Sequence, residues 1–411
     1  MINAIKLYEK KEECCGCRAC LNICPQKAIL MKNDEYGYSY PAIDADKCIH
    51  CGLCKIVCAF QSGEEKQGYL DTYVAVSKTT DLKKSASGGL FASIAKRFLQ
   101  TGGLVAGAAL LQDEQYLTPK VLIVDDEKNM HMLLGSKYVQ CDMGDVYPEV
   151  KNYLIEGRQV LFSGTPCQVA ALKRYLKKDY ENLFTIDIIC HGVPSAQFFQ
   201  DYIKFKESKY KFKTTGFEFR DKTCGWKMTG KLSYQKKNKA GDIILYGNEE
   251  SYYSLFLDAK TYRDSCYQCK YACSKRPGDI TIGDYWGVAK EHPDVLKVNH
   301  GILDSRLGIS CMIVNSDKGR TYLDNYSGDF VLYESSFEKA QRHNGQLSHP
   351  SVYSKERNDI MELYQEQGYC AVEKWYKSHR SKKYYLNWIN NRMPESIKNI
   401  IKKIFDFGTI Q

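Results

Sequence analysis

The sequence predicts an α+β or α/β protein in three parts: a small cysteine-rich domain, a larger domain built on a mixed sheet, and a helical tail. Two copies of one cysteine pattern occupy the first sixty residues. Short apolar runs and helical stretches then alternate, as is typical of α/β and α+β domains. From about Ser354 the chain combines helical periodicity with a strongly basic composition.

The cysteine-rich domain is defined by the spacing C-x2-C-x2-C-x3-C, whose second copy starts 34 residues after the first. This spacing is typical of proteins that hold two [4Fe–4S] clusters, in which the fourth cysteine of each run binds the other cluster. Structural zinc is the alternative, although zinc sites usually take two cysteine pairs without a third cysteine in each run. The predicted ligands are Cys14, Cys17, Cys20 and Cys58 for one cluster, and Cys48, Cys51, Cys54 and Cys24 for the other.

Between the two cysteine runs, residues 28–31 and 38–43 predict short strands around a turn at 33–37, which has the composition of a hairpin turn. Pro41 cannot donate a backbone hydrogen bond, so the second strand should be an edge strand. We expect this domain to occupy residues 1–68.

The larger domain begins with a β-branched run at 73–77, followed by the turn Ser85-Ala86-Ser87-Gly88-Gly89 and a helical pattern. Further buried strands are predicted at 105–110, 120–124 and 159–162, and helices at 148–156 and 168–175. This alternation favours a sheet with some parallel strands. The predicted divisions are an N-terminal part at 69–150, a C-terminal part at 151–335 and a helical basic tail at 336–411.

Composition limits the class of protein. A chain of 411 residues is longer than one hydrophobic core usually supports, so two or three domains are expected. The first residues, MINAIKLYEKKEE, lack the apolar region of an export signal, so we expect a cytoplasmic protein whose 18 cysteines are reduced or bound to iron. Most of the net charge of +9 lies in the tail after Lys374, which argues against nucleic acid as the main partner.

Reactive residues concentrate where predicted strands end. Cys167 follows a strand ending at Gly164-Thr165, and Cys190-His191 follows another, at the position where open α/β sheets bind ligands. A lone buried cysteine is usually inert, and His191 could be a ligand, a proton donor or a structural histidine.

A further cysteine cluster comprises Cys266, Cys269 and Cys273. Three cysteines without a neighbouring histidine favour a third iron–sulfur cluster over zinc. A cluster needs four thiolates, and the spacing alone does not identify the set.

The turn at 85–89 could bind an anion, because a helix N-terminus presents unpaired amides and its glycines allow close approach. An ordinary glycine turn is the alternative. The serines and glycines that we consider as cofactor-binding candidates are Ser85, Ser87, Gly88 and Gly89.

Taken together, the motifs resemble the coenzyme F-420 hydrogenase/dehydrogenase beta subunit family, in the bacterial form with an N-terminal two-cluster ferredoxin domain. The matching stretches are SASGG at 85–89, GSKYVQ at 135–140, LFSGTPCQ at 161–168, IDIICHGVPS at 186–195, FEFRDK at 217–222, CYQCKYA at 266–272 and RPGDITIGDYWG at 276–287.

The resemblance implies a flavin, FAD or a related one, beside a third [4Fe–4S] cluster. It implies Cys167, Cys190, Cys266 and Cys269 as the ligands of that cluster, with Cys273 as a competitor. Asp279, Asp284 and Trp286 would line the flavin or substrate pocket, Gly164 and Thr165 would join the cofactor-binding residues, and Asp284, Trp286 and His191 are the catalytic candidates. Coenzyme F-420 itself is allowed only in an organism that makes it.

We therefore expect an iron–sulfur flavoprotein oxidoreductase that passes electrons from a ferredoxin-like donor through [4Fe–4S] clusters to a flavin. The acceptor would be an organic substrate, such as a glycan precursor in polysaccharide biosynthesis. The alternatives are an electron-transfer subunit of a hydrogenase or dehydrogenase complex, and a non-catalytic scaffold with structural clusters, which would bind no flavin.

The basic tail carries an apolar stripe at helical spacing: Ile397, Ile400, Ile401, Ile404 and Phe407. Such a helix could lie on an anionic membrane surface, which would make the protein peripheral at the inner membrane. The alternative is a helix packed on its own domain with a solvated basic face.

Overall fold

The computed structural model describes residues 5–61, 68–112, 116–393 and 397. Its strands, in chain order, are β1 (Ile29–Asn33), β2 (Ser39–Ile43), β3 (Asp71–Ser77), β4 (Leu104–Gln112), β5 (Leu117–Val124), β6 (Val160–Gly164), β7 (Leu183–Ile188), β8 (Lys213–Glu218), β9 (Thr229–Lys236), β10 (Lys239–Tyr246), β11 (Ile280–Asp284), β12 (Ser310–Val314) and β13 (Phe330–Ser335). Its α-helices are α1 (Ala19–Ile23), α2 (Leu53–Ile56), α3 (Leu90–Gln100), α4 (Val146–Ile155), α5 (Pro166–Leu176), α6 (Ala196–Tyr210), α7 (Ser251–Leu257), α8 (Val288–Glu291), α9 (Asp317–Tyr326), α10 (Phe337–Gln341), α11 (Glu356–Ser378) and α12 (Lys382–Arg392).

The cysteine-rich domain contains the predicted hairpin. β1 pairs with β2 in antiparallel register, with Met31 opposite Pro41. The turn is closed by the Asp34 carboxylate, which accepts hydrogen bonds from the amides of Tyr36 and Tyr38 at 3.0 and 2.8 Å. This is the Asx-type turn for which aspartate is favoured.

The hairpin is anchored in the larger domain. The Tyr38 hydroxyl, 1% exposed, donates to the carbonyl of Thr261 at 2.7 Å. Ser195, the N-cap of α6, donates from its hydroxyl to the carbonyl of Tyr36 at 2.7 Å. The cysteine-rich domain is thus packed into the rest of the chain.

The larger domain is built on one mixed sheet of eight strands, in the order β13-β3-β12-β11-β7-β6-β4-β5. β4, β6, β7 and β11 run parallel to one another, while β5, β12 and β13 are antiparallel to their neighbours. The predicted mixed sheet is therefore confirmed. Strands β6, β7 and β11 end at one side, which we call the carboxyl edge.

The division predicted between residues 150 and 151 falls inside α4. Strands from both sides of that position share the same sheet. The predicted N-terminal and C-terminal parts consequently form one folded layer.

The strands β8, β9 and β10 form a separate antiparallel sheet that the sequence analysis did not anticipate. β9 and β10 mix polar and apolar residues without a regular alternation, and most of their residues are only partly buried or exposed. The sheet packs with α6 and α11 around an aromatic core that includes Phe198, Phe199, Tyr202, Phe219, Tyr252, Tyr253 and Tyr369.

The helical C-terminal region predicted from about Ser354 corresponds to α11 and α12. Gly368 interrupts α11 with a left-handed φ of 70°, which glycine tolerates. Apart from Ile397, the predicted apolar stripe lies outside the described residues. Among the helices described, none is both long and apolar enough to cross a membrane.

Candidate metal centres and cofactor pocket

The first thiol group consists of Cys14, Cys17, Cys20 and Cys58, which lie close enough to interact electrostatically. Cys20 is on the short helix α1, whereas Cys58 follows α2 in the second run. The fourth cysteine of the second run therefore lies with the first run, as the crossed ligand pattern predicts. Burial raises the pKa of the Cys14 thiol.

The second thiol group consists of Cys24, Cys48, Cys51 and Cys54, which line one small cavity. Ile5, Ile29 and Ile43 contribute apolar wall to the same cavity. The amide of Ala28 donates to the Cys24 sulfur at 3.3 Å, a contact that also tunes cluster sulfurs in iron–sulfur proteins. Cys54 is buried and Cys51 is exposed, so one side of this group faces solvent.

The third thiol group brings together Cys167, Cys190, Cys266 and Cys269. Cys167 lies in the first turn of α5, directly after β6, and Cys190 follows β7. Cys266 lies in the short 3₁₀ helix Asp264–Gln268, and Cys269 follows it. All four segments meet at the carboxyl edge.

The cysteines of the third thiol group are partly buried, and desolvation changes their acid–base properties. Burial raises the pKa of Cys190 to about 12 and that of Cys269 to about 11, and it raises that of Cys266 well above its usual value. Thiols in such a site become thiolates only with a compensating positive charge, which iron supplies. Four converging, partly buried thiols fit a [4Fe–4S] cluster.

Cys273 donates hydrogen bonds within its own loop. Its sulfur lies 3.5 Å from the carbonyl of Lys270 and 3.3 Å from that of Lys275. Its role as a competing ligand of the third cluster stays a prediction.

The loop that carries Cys269 is fixed by a buried ion pair. Arg276 and Asp187 are 1% and 0% exposed in their side chains and join at 2.7 Å. The Asp187 carboxylate also accepts from the amide of Gly278 at 2.8 Å and from the hydroxyl of Thr281 at 2.9 Å. Because Asp187 is in β7, this pair holds the loop against the strand that leads to Cys190.

In the described part of the chain, no group of three or more His, Cys, Asp or Glu side chains is arranged to hold a single metal ion.

Cys15 connects the first and third thiol groups. Its thiol is in hydrogen-bonding contact with the thiols of both Cys17 and Cys167. The sequence analysis gave Cys15 no role, because it lies outside the repeated spacing. The contact places the cysteine-rich domain directly against the carboxyl edge.

The candidate cofactor pocket consists of Asp284, at the end of β11, and the residues around it, which lie beside the third thiol group. The Asp284 carboxylate accepts from Arg220 Nη1 at 2.8 Å and from Trp226 Nε1 at 2.9 Å. The rings of Trp226 and Trp286 stack with centroids 5.0 Å apart and planes 8° apart. His191 follows Cys190 directly, opens to solvent in this cleft and interacts electrostatically with Asp284.

Two buried polar atoms near this pocket have no hydrogen-bond partner among the described residues: Arg220 Nη2 and Thr80 Oγ1. The Arg220 side chain is only 2% exposed. Leaving a buried donor without an acceptor costs about 1–3 kcal/mol, so such atoms often mark a ligand site. An acceptor-rich ring such as the flavin fits a guanidinium donor beside stacked aromatic rings.

The turn at 85–89 packs against the carboxyl edge. Gly88 is buried so tightly that a Cβ would lie 2.7 Å from the carbonyl of Ala75, and its amide donates to Ser310 Oγ at 2.9 Å. Gly89 begins α3 with φ 78° and supplies no side-chain cap. The N-terminal amides of α3 thus have no side-chain cap, and both glycines are required by the packing.

Lys222 holds this turn in place. Its ammonium donates to the carbonyls of Leu82 and Ser87 at 2.7 Å each and to that of Leu307. Burial lowers its pKa to about 8. Lys222 thus places a second basic group close to Arg220.

Asp279 is not in the pocket with Asp284. It precedes β11, so the strand separates the two by about 16 Å at 3.3 Å per residue. Asp279 instead accepts from Thr185 Oγ1 at 2.6 Å and Ser316 Oγ at 2.8 Å, which ties neighbouring strands together. The prediction that Asp279 lines the flavin pocket is corrected: it is a structural residue at the other edge of the sheet.

Gly164 and Thr165 lie at the carboxyl edge but next to the third thiol group. The Thr165 hydroxyl is 3.2 Å from the Cys167 sulfur. Thr165 also begins α5 in a capping box with Gln168. Gly164 and Thr165 consequently lie next to a candidate metal centre, the third thiol group.

The sequence analysis missed Arg220, Lys222 and Trp226. They belong to the loop that follows β8, and this loop reaches the end of β11. The family-like stretch FEFRDK contains Arg220 and Lys222 and could have drawn attention to them. Its position in the chain does not reveal the contact between Arg220 and Asp284.

Comparison with known families agrees with this geometry. Residues 157–339 match the family described as the C terminus of the coenzyme F420 hydrogenase/dehydrogenase beta subunit, and residues 13–62 match the 4Fe-4S dicluster domain. The resemblance inferred from the sequence is therefore confirmed, including the two-cluster domain at the front of the chain.

Two individual proteins are similar to parts of the chain. An uncharacterized ferredoxin from Methanocaldococcus jannaschii is 33% identical over 51 residues, which are 12% of this chain and 65% of that ferredoxin. The match thus spans slightly less than two thirds of that relative. A chain in the xenon-derivatized F420-reducing [NiFe] hydrogenase complex from Methanosarcina barkeri is 16% identical, with a TM-score of 0.43, over 74% of this chain and 95% of that one.

The family matches support an iron–sulfur oxidoreductase of the hydrogenase/dehydrogenase type. They favour the alternative interpretation from the sequence, an electron-transfer subunit, over a reductase of glycan precursors. Neither family description names a flavin or a polysaccharide.

Proposed function

We propose that this chain is the electron-transfer subunit of a hydrogenase- or dehydrogenase-type complex, and that it binds a flavin as well as three [4Fe–4S] clusters. Clusters carry electrons singly, whereas a hydride carrier or organic substrate exchanges them in pairs. A bound flavin would supply the conversion between the two modes.

The observation that carries this proposal is the continuity of thiols from the cysteine-rich domain to the carboxyl edge. Cys15 joins the first and third thiol groups, and Cys190 of the third group is followed directly by His191 in the pocket. The two candidate cluster sites of the cysteine-rich domain, the third thiol group and the pocket thus follow one another in space. A scaffold with purely structural clusters has no need of this order.

The pocket residues have separable roles in the proposal. Arg220 would donate from Nη2 to an acceptor atom of the flavin ring, and Asp284 orients both Arg220 and Trp226. The uncapped N-terminal amides of α3 would receive phosphate oxygens of FAD. Desolvation lowers the pKa of His191, which favours the neutral ring, and this ring would accept a proton at the carboxyl edge.

The outer partners of this electron path are also proposals. A ferredoxin-like protein would reduce the second thiol group's cluster, since that group faces solvent. Coenzyme F-420 or an organic substrate, including a glycan precursor, would take the electron pair. Peripheral membrane contact would depend on the basic tail, most of which lies outside the described residues.

Anaerobic purification followed by iron, sulfide and flavin analysis tests the proposal. We expect about twelve iron atoms per chain, which is three four-iron clusters, and one flavin. Replacing Arg220 with Gln should lower the flavin content while leaving the iron content unchanged. Arg97→Gln is the matched control, since Arg97 pairs with Asp329 away from the pocket.

The outcomes separate the parts of the proposal. Full iron without any flavin would refute the flavin-dependent function and favour a scaffold or a simple electron relay. About eight irons together with flavin would show that one of the three thiol groups holds no cluster, and an iron content that does not fall further in Cys190→Ser would identify the third group as the empty one.

A further inference from the structure

Arg263 joins the first and third thiol groups in a different way from Cys15. Its backbone belongs to the third group's loop, because the amide of Cys266 donates to the Arg263 carbonyl at 2.9 Å. Its side chain, however, extends into the cysteine-rich domain and is completely buried, at 0% exposure. One residue therefore shapes the loop of one thiol group and contacts the other group.

The guanidinium is held by four contacts around Cys14. Nε donates to the Cys14 carbonyl at 2.7 Å, and Nη2 lies 3.7 Å from the Cys14 sulfur and 3.0 Å from the Ser39 carbonyl. Nη1 donates to Gln140 Oε1 at 3.2 Å. The Tyr40 ring covers one face, with its centroid 4.0 Å from the guanidinium carbon.

The sequence makes room for this side chain. Gly16 has φ 68°, and a Cβ there would lie 2.9 Å from Arg263 Nη1 and 2.8 Å from Gln140 Nε2. Any other residue at position 16 would displace the guanidinium. The glycine between Cys15 and Cys17 is thus explained by the arginine.

The charge of Arg263 has no carboxylate partner within the ranges that the structure describes. The adjacent Asp264 pairs instead with Arg357, at 2.6 Å. Isolated buried charges are costly, so buried arginines usually pair with an acid. The groups nearest to the guanidinium that can carry negative charge are the cysteine sulfurs.

We propose that Arg263 is a positioning residue that raises the reduction potential of the cluster in the first thiol group above that of the cluster in the second. The inference rests on the proposed function, because it requires clusters at both sites. A buried cation and an N–H donor near sulfur both stabilise the reduced, more negative cluster. The cavity of the second thiol group is lined by no arginine.

The difference in potential would set the direction of electron movement inside the chain. One electron leaves the reduced cluster of the second group, which is oxidised, and reduces the cluster of the first group without a proton. There it lies next to Cys15, which contacts Cys167 of the third group. The first group's cluster becomes the point at which electrons collect before they leave the cysteine-rich domain.

The test is an anaerobic redox titration, followed by electron paramagnetic resonance, of the iron-loaded full chain with Arg263→Gln. Cys51→Ser and Cys190→Ser, combined with each variant, remove the second and third clusters, so that the remaining signal is that of the first cluster. We expect Arg263→Gln to change the electron distribution between the two clusters at least tenfold, which is about 59 mV for a one-electron couple, by lowering the first cluster's potential. Arg263→Lys, which keeps the charge, should restore most of the difference, and Arg97→Gln should change nothing.

Gln140→Glu provides a second route if Arg263→Gln loses iron. It places a carboxylate beside the guanidinium and offsets the charge without removing the side chain, so the first cluster's potential should fall in this variant too. Full iron content with unchanged potentials in both variants would overturn the role of Arg263 alone. Failure of the wild-type chain to bind iron would overturn the proposed function, and this inference with it.

Discussion

The cysteine-rich domain and the carboxyl edge each assemble four-thiol groups, but they do so in opposite ways. The first and second thiol groups draw all their cysteines from a short stretch, Cys14 to Cys58. The third group draws on Cys167, Cys190 and a loop near Cys266, and it requires the parallel strands β6 and β7 to bring them together. Spacing alone specifies the first two groups, whereas the third depends on the fold.

This contrast extends to the supports around the thiols. The second group has an exposed cysteine, Cys51, while the cysteines of the third group are partly buried and its loop is braced by the buried pair of Asp187 and Arg276. A locally specified site can be shallow, since short turns place its ligands. A site assembled from distant segments needs interactions that hold those segments in register.

The largest expected effect comes from Cys190→Ser. Because Cys190 is one of only four thiols in the third group, the iron content should fall from about twelve to about eight atoms per chain. Cys273→Ser is the matched control and should keep about twelve. Iron analysis under anaerobic conditions measures both, and equal iron content in the two variants would contradict the assignment of the third group.

A large loss of stability is expected from Asp187→Asn. The change leaves the Arg276 charge buried without a partner, which should destabilise the fold by about 3–5 kcal/mol. Denaturant unfolding monitored by circular dichroism gives the comparison. Asp71→Asn, which breaks the exposed pair with Arg320, should cost about 0–1 kcal/mol; similar losses in both variants would argue against the bracing role.

Iron removal should distinguish the second group from the third. Since Cys51 is exposed and no cysteine of the third group is, an anaerobic chelator should extract the second group's iron several-fold faster. The rapid phase should disappear in Cys51→Ser and persist in Cys190→Ser. Uniform release of all the iron would show that the difference in exposure has no kinetic effect.

The smallest expected effect comes from Thr165→Val. The variant loses both the N-cap of α5 and the hydroxyl beside Cys167, so it should be less stable by about 1 kcal/mol. Thr165→Ser keeps the hydroxyl and should match the wild type in thermal unfolding. An unchanged stability in Thr165→Val would mean that Pro166 and Gln168 start the helix without it.

Sequence reasoning succeeded where the interactions are local. The hairpin of β1 and β2, the crossed cysteine pattern and the mixed sheet follow from spacing and periodicity within short windows. The grouping of Cys167, Cys190, Cys266 and Cys269 came only from the family resemblance.

It failed where distant segments meet. Asp279 and Asp284 are close in the sequence, yet a strand separates them, and only one lies at the pocket. Arg220 and Lys222 reach the carboxyl edge because their loop crosses over from a different sheet. Hydrogen bonds between residues of different sheets produce no periodic pattern in the sequence.

The anchoring of Tyr38 has a consequence for the modularity of this protein. A two-cluster domain could be regarded as an independent module that gene fusion can attach to any enzyme. Here, Tyr38 and Tyr40 are buried against the larger domain, and Gly16 is adapted to an arginine that the larger domain supplies. A transplanted front domain would therefore expose this aromatic face and lack the arginine that packs against Gly16, so its transfer would require matching residues in the new partner domain.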